Sequence, residues 1–135
     1  MAHLSRSVAS LRVFGDQLIP EEITKLLGSE PTKSTRKGDV IPSASHARNA
    51  KTGSWLLKAK SCEPENLNEQ VEWILSQLTS DLGVWSALCK EFEVDIFCGL
   101  FMEGSNEGFS LSPAIMSALG SRGIEIGFDI YDSAE

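Results

Sequence analysis

Seven cations and one acid fall within residues 32–60: Lys33, Arg36, Lys37, Arg48, Lys51, Lys58 and Lys60 against Asp39. This is a local excess of +6 in a chain whose net charge is −7, and such a cluster suits an anion or an acidic surface. Arg36-Lys37-Gly38-Asp39 has the most to offer chemically. Its two cations could hold a phosphate or carboxylate while Asp39 orients a ligand hydroxyl or a neighbouring base. The simpler reading is a turn in which Gly38 takes positive φ and Asp39 caps backbone amides. Trp55 is either a stacking platform beside Arg36 and Lys37 or a core aromatic, and the core is favoured. Asp95 and Asp129 sit on expected strands, where an inward carboxylate could do acid–base work but surface pairing is the favoured role. The candidate ligand-binding set is therefore Arg36, Lys37, Asp39, Trp55, Asp129 and Tyr131.

Other chemistries lack their residues. His3 lies near a terminus and His46 in the basic loop, neither with a Cys or His at metal-ligand spacing. Ser110 and Ser112 precede a helix without a G-x-S-x-G elbow, so Ser112 reads as an N-cap. Cys98 falls on an apolar strand face and reads as packing. Gly104-Ser105-Asn106-Glu107-Gly108 contains acids and no P-loop Lys, and reads as a turn. No catalytic residue, metal or cofactor is expected.

The elements that must position these residues follow from periodicity. Ala9, Leu11 and Val13 share one face of an opening strand over residues 7–14, with Ser10 and Arg12 on the other. Pro20, Glu21 and Glu22 open a helix with Ile23, Leu26 and Leu27 as its stripe and Gly28 as its stop. Residues 32–54 form a long basic loop, and Trp55, Leu57 and Ala59 then alternate along a half-buried strand. Asn66 and Glu69 open a helix carrying Leu67, Val71, Ile74, Leu75 and Leu78, and a further helical piece starts near Asp81. Val94, Ile96, Cys98, Leu100 and Met102 line one face of the next strand. Asp95, Phe97, Gly99 and Phe101 line the other, so this strand is expected to be central and largely covered. A turn at residues 103–108 returns a short strand through Phe109 and Leu111. Ser112 and Pro113 cap another helix, and residues 124–131 close the chain as a strand. Leu18-x-Pro20-x-x-Ile23-x-x-Leu26 is echoed by Leu111-x-Pro113-x-x-Met116-x-x-Leu119, which common capping rules explain as well as duplication does. The order points to one α+β domain over residues 1–135. It is a mostly antiparallel sheet of four to five strands with helices on one face, ferredoxin-like or a related two-layer sandwich.

The chain's length supports one ordinary core, with 41% hydrophobic and 23% charged residues. Three cysteines without a C-x-x-C pair, no apolar signal core in the first ten residues and no membrane-length apolar run make the cytoplasm the expected location. The acidic balance argues against nucleic acid as a partner.

Gly15-Asp16, the run from Pro20 to Gly28, Glu30-Pro31-Thr32, Lys37-Gly38-Asp39, Thr52-Gly53-Ser54-Trp55, Phe109-Ser110-Leu111-Ser112-Pro113 and Phe128-Asp129-Ile130-Tyr131 form an ordered set. In that set the chain resembles family 4279 of the bacterial domains of unknown function. The resemblance implies a small α+β fold and carries over no catalytic residue; residues 40–51 match it least.

With every catalytic template unfilled, the expected function is a non-catalytic interaction protein. Its partner would be a basic protein, as for an immunity protein against a basic toxin, or another copy in a homo-oligomer. The alternative is an anionic small-molecule-binding domain or enzyme using the basic loop near Trp55.

Overall fold

The opening alternation becomes β1 (Arg6–Gly15), with Ser7, Ala9, Leu11 and Val13 buried on one face and Arg6, Val8, Ser10, Arg12 and Phe14 partly exposed on the other. The structure is a computed structural model describing residues 3–42 and 48–132; His46 lies outside the described residues. Pro20 starts α1 (Pro20–Leu27), Glu21 and Glu22 occupy its positive end, and Gly28 stops it at φ 81°. The expected basic loop is then broken by strands. β2 (Lys33–Thr35) pairs with β5 (Gly53–Lys58), and β3 (Val40–Ile41) pairs with β4 (Arg48–Asn49) in a small second sheet. These pieces lack hydrophobic alternation because most of their residues are exposed. Hydrogen bonds hold β2 instead: Thr32 N–H donates to the Leu56 carbonyl (2.7 Å), Lys58 N–H to Thr32 Oγ1 (2.9 Å), and the Thr35 and Ser54 hydroxyls meet at 2.8 Å.

Asn66 caps α2 (Leu67–Ser76) by accepting from Glu69 N–H (3.3 Å), and its amide donates to the Glu69 carboxylate (2.8 Å). Asp81 caps α3 (Leu82–Glu91), which leads into β6 (Glu93–Phe101). The strand expected through Phe109 and Leu111 does not form. Glu107 accepts from Glu103 N–H and Gly104 N–H, both at 2.9 Å, which folds the turn onto itself. Asn68 on α2 then accepts from Ser112 N–H (2.8 Å) and donates to the Ser110 carbonyl (3.0 Å), so side chains satisfy backbone that a hairpin would have paired. Ser112 caps α4 (Pro113–Arg122), and Gly123 at φ 75° turns the chain into β7 (Glu125–Tyr131).

The main sheet has the order β2-β5-β1-β6-β7. Along β2, β5, β1 and β6 each strand is antiparallel to its neighbour, and their order and connections are those of a ferredoxin-like sheet; α4 then adds β7 parallel to β6. Ala9, Leu11, Val13, Trp55, Leu57, Ile96, Cys98 and Leu100 share one face, and all four helices pack their apolar stripes onto it in a single core. β6 is central, as its pattern implies. Among the described residues its second face carries no helix, and Asp95, Phe97 and Phe101 stay partly open there.

Candidate functional site: the uncovered sheet face

The register of the main sheet arranges the uncovered side in rows. Lys33, Leu56, Arg12, Asp95 and Glu125 form one row from β2 to β7. Lys58, Ser10, Phe97 and Gly127 form the next; Val8, Gly99 and Asp129 follow; Arg6, Phe101 and Tyr131 close the set. Cations thus lie on β2, β5 and β1, and carboxylates on β6 and β7. The boundary between the two signs runs between β1 and β6.

Aromatic rings interleave with these charges. Phe101 and Tyr131 stack at 4.9 Å between centroids with 12° between planes, and the Arg6 guanidinium lies 4.0 Å from the Phe101 centroid. The Arg12 guanidinium lies 4.4 Å from Phe97 and 5.2 Å from Phe14, while its Nε and Nη2 donate to the two Asp95 oxygens at 2.9 and 2.7 Å. The hydrogen bonds to Asp95 raise the Arg12 pKa above its ordinary value, with burial opposing. Tyr131 donates to Asp129 at 2.6 Å, and this bond to a carboxylate raises the phenol pKa. The result is a set of rings and guanidinium groups held against one another on this face.

The six sequence-derived candidates do not converge. Arg36 pairs with Glu21, its N–H donates to Asp39 at 2.7 Å, and Lys37 reaches Asp16 at 3.2 Å. Gly38 adopts φ 93°, so this stretch is the turn that its residue types allow. Hydrogen bonding to Lys37 and Thr52 lowers the Asp16 pKa, and hydrogen bonding to Arg36 lowers that of Glu21. Trp55 is fully buried on the helix side and donates from Nε1 to Thr24 Oγ1 at 3.0 Å, so it cannot stack on a ligand at the turn. Asp129 and Tyr131 stand on β7, at the opposite edge of the sheet from β2. Asp95 finds its partner in Arg12 on β1, outside the basic segment.

Arg6, Arg12, Phe97 and Phe101 are the residues that sequence reading passed over. The signal was present: Arg6, Val8, Ser10, Arg12 and Phe14 alternate with the buried set of β1, and a covered sheet face would not hold two arginines without partners. No activated thiol is found. Burial raises the pKa of Cys62 and Cys89 and pushes Cys98 up to about 12. Among the described residues no three His, Cys, Asp or Glu side chains gather as a metal ion would require.

The model of a family described as Domain of unknown function (DUF4279) matches residues 4–133. The chain belongs to this family. The match spans every strand and helix above, so in this DUF4279 chain the uncovered face lies inside the matched domain. No curated protein and no solved structure matches the chain. Among the described residues no helix is long and apolar enough to cross a membrane.

Proposed function

We propose that this DUF4279 protein is a non-catalytic cytoplasmic interaction protein whose docking surface is the uncovered face of its five-stranded sheet. The observation that carries the reading is the ladder of Arg6, Phe101 and Tyr131 beside Arg12, Phe97 and Asp95. Arginine and aromatic residues are the types enriched at interface hot spots, and here they are already ordered by stacking and ion pairing. Such preorganisation lowers the entropy cost of docking. The anion-binding alternative gains nothing comparable, since Arg36 and Lys37 are engaged by Glu21 and Asp16 and Trp55 is enclosed. The test is in-cell photo-crosslinking with benzoylphenylalanine placed at Phe97 or, as a control, at Leu26 on α1, which is 48% exposed. Protein adducts are expected from Phe97 and not from Leu26. No adduct at Phe97, or equal yields from both sites, would refute the assignment.

A further inference from the structure

We infer that the occupant of the uncovered face is a second copy of this chain, packed sheet to sheet about a two-fold axis that runs parallel to the strands over the boundary between β1 and β6. The inference rests on the docking reading above and names its partner. It is carried by the charge pattern. Arg6, Arg12, Lys33 and Lys58 lie on the β2-β5-β1 side of that boundary, and Glu93, Asp95, Glu125 and Asp129 on the β6-β7 side. A two-fold axis parallel to the strands exchanges left for right and keeps every row at its own level. It therefore sets β1 over the second copy's β6 and β5 over its β7, which lays the cation-bearing strands of one copy on the carboxylate-bearing strands of the other.

The pairing is specific at residue level. Arg12 comes opposite the second copy's Asp95, and the reverse contact follows by symmetry. The existing Arg12–Asp95 pair, with 29% and 26% of its side chains exposed, then closes into a four-membered alternation of charge at the axis. Lys58 falls between the levels of the second copy's Glu125 and Asp129. The other two-fold that keeps the strands aligned fails: an axis across the strands would lay β1 on β1 and β6 on β6, opposing like charges. A single-stranded nucleic acid would have to lie against the four carboxylates of the β6-β7 half, which repel phosphate. The facing area is small, at the low end for a specific interface. Four facing strands about 4.8 Å apart and about seven residues long at about 3.3 Å each project about 450 Å², below the roughly 800 Å² of accessible area per partner in a standard interface. The dimer should consequently be salt-sensitive, with a dissociation constant in the micromolar range.

The test is sedimentation equilibrium of the full chain at low and high salt, with Lys58→Glu and Glu125→Lys as separate variants and as an equimolar mixture. Both positions are exposed, and circular dichroism checks that each variant is folded. The wild type should dimerise at low salt and dissociate on adding salt. Each variant alone should weaken the dimer about tenfold or more, because each two-fold interface carries the substituted contact twice. Mixing the two should restore it, since both contacts again join opposite signs. A wild type that stays monomeric to about 1 mM at low salt overturns the inference, as does a mixture no tighter than its components. A wild type that stays monomeric at low salt yet binds a mixed-sequence single-stranded oligonucleotide also overturns it. A monomer whose Phe97 position crosslinks to a different protein removes the second copy alone and leaves the docking reading standing. Absence of any Phe97 adduct removes that reading itself.

Discussion

Gln70 is the substitution site from which the most can be learned about what ties the layers together. It is 3% exposed, and it and Ser7 are the only buried polar side chains among the described residues. Its Oε1 accepts from the Ser7 hydroxyl at 2.6 Å, and its Nε2 donates to the Ser7 carbonyl at 3.0 Å and the Lys60 carbonyl at 2.9 Å. The Ser7 oxygen in turn accepts from Asn66 N–H at 3.1 Å, so the cluster joins β1, the chain after β5 and the start of α2. Gln70→Leu keeps most of the volume and removes all three bonds. The Ser7 carbonyl still receives Cys62 N–H at 3.0 Å, but the Ser7 hydroxyl loses its acceptor and the Lys60 carbonyl its amide donor. Leaving a buried polar group unpaired costs about 1–3 kcal/mol, and Lys60 is exposed enough to recover water, so the stranded Ser7 hydroxyl alone should cost the variant about 1–3 kcal/mol. With a urea slope near 2 kcal/mol/M the midpoint should fall by about 0.5–1.5 M at unchanged slope. Ser7→Ala should cost about 2 kcal/mol by stranding Asn66 N–H and Gln70 Oε1. The double variant should cost about 1–2 kcal/mol less than the sum, because the two groups strand each other. A Gln70→Leu protein within about 0.5 kcal/mol of wild type, or strict additivity in the cycle, would show that the cluster does not hold α2 to the sheet.

Two further outcomes follow from the turn and from the tight start of the sheet. Asp16 and Glu21 have folded pKa values below their ordinary ones, so their contribution to stability is present above the unfolded carboxyl pKa near 4 and is lost as pH falls through the folded value. Carboxyl NMR titration should place Asp16 below the usual range, and Lys37→Ala should move it back up. At Gly53 an added Cβ would lie 2.7 Å from the Gly15 carbonyl oxygen, while at Gly15 it would lie 2.4 Å from the Phe92 ring edge. Backbone cannot swing aside as a ring can, so Gly53→Ala should cost about 3 kcal/mol or more and Gly15→Ala closer to 1 kcal/mol, read from urea midpoints.

The elements that bury a face could be read from the chain, and those that do not could not. β1 and α2 show their period because Leu11, Val13, Val71 and Ile74 must all be enclosed. β2, β3 and β4 bury almost nothing, so no period marks them, and seven cations suggest a loop where short strands lie. The same limit explains the candidate site. Charge clustering in sequence drew attention to Arg36, Lys37 and Trp55, yet two of these are neutralised by acids some twenty residues or fewer away and the third is core. The uncovered face gathers Arg12, Lys58, Asp95 and Asp129 from four strands, and only the strand order brings them side by side. That order is long-range information. What could be read locally was that β1 and β6 each carry a second, mixed face.

The added strand β7 centres the charge boundary of the uncovered face. Without it, the four antiparallel strands would display Arg6, Arg12, Lys33 and Lys58 against only Glu93 and Asp95, and the sign boundary would lie one strand from the edge. β7 supplies Glu125 and Asp129, which balance the charge at four against four, and Tyr131, which completes the stack on Phe101. It also moves the boundary to the middle of β5-β1-β6-β7, where β5 and β7 are equally far from it. β2 is then the one strand without a counterpart, and at three residues it is the shortest in the main sheet. An edge that overhangs a symmetric interface gains nothing from length, whereas the four strands that face a counterpart need to be long enough to carry matched rows. The strand lengths and the charge boundary are set by different residues, yet they point to the same axis.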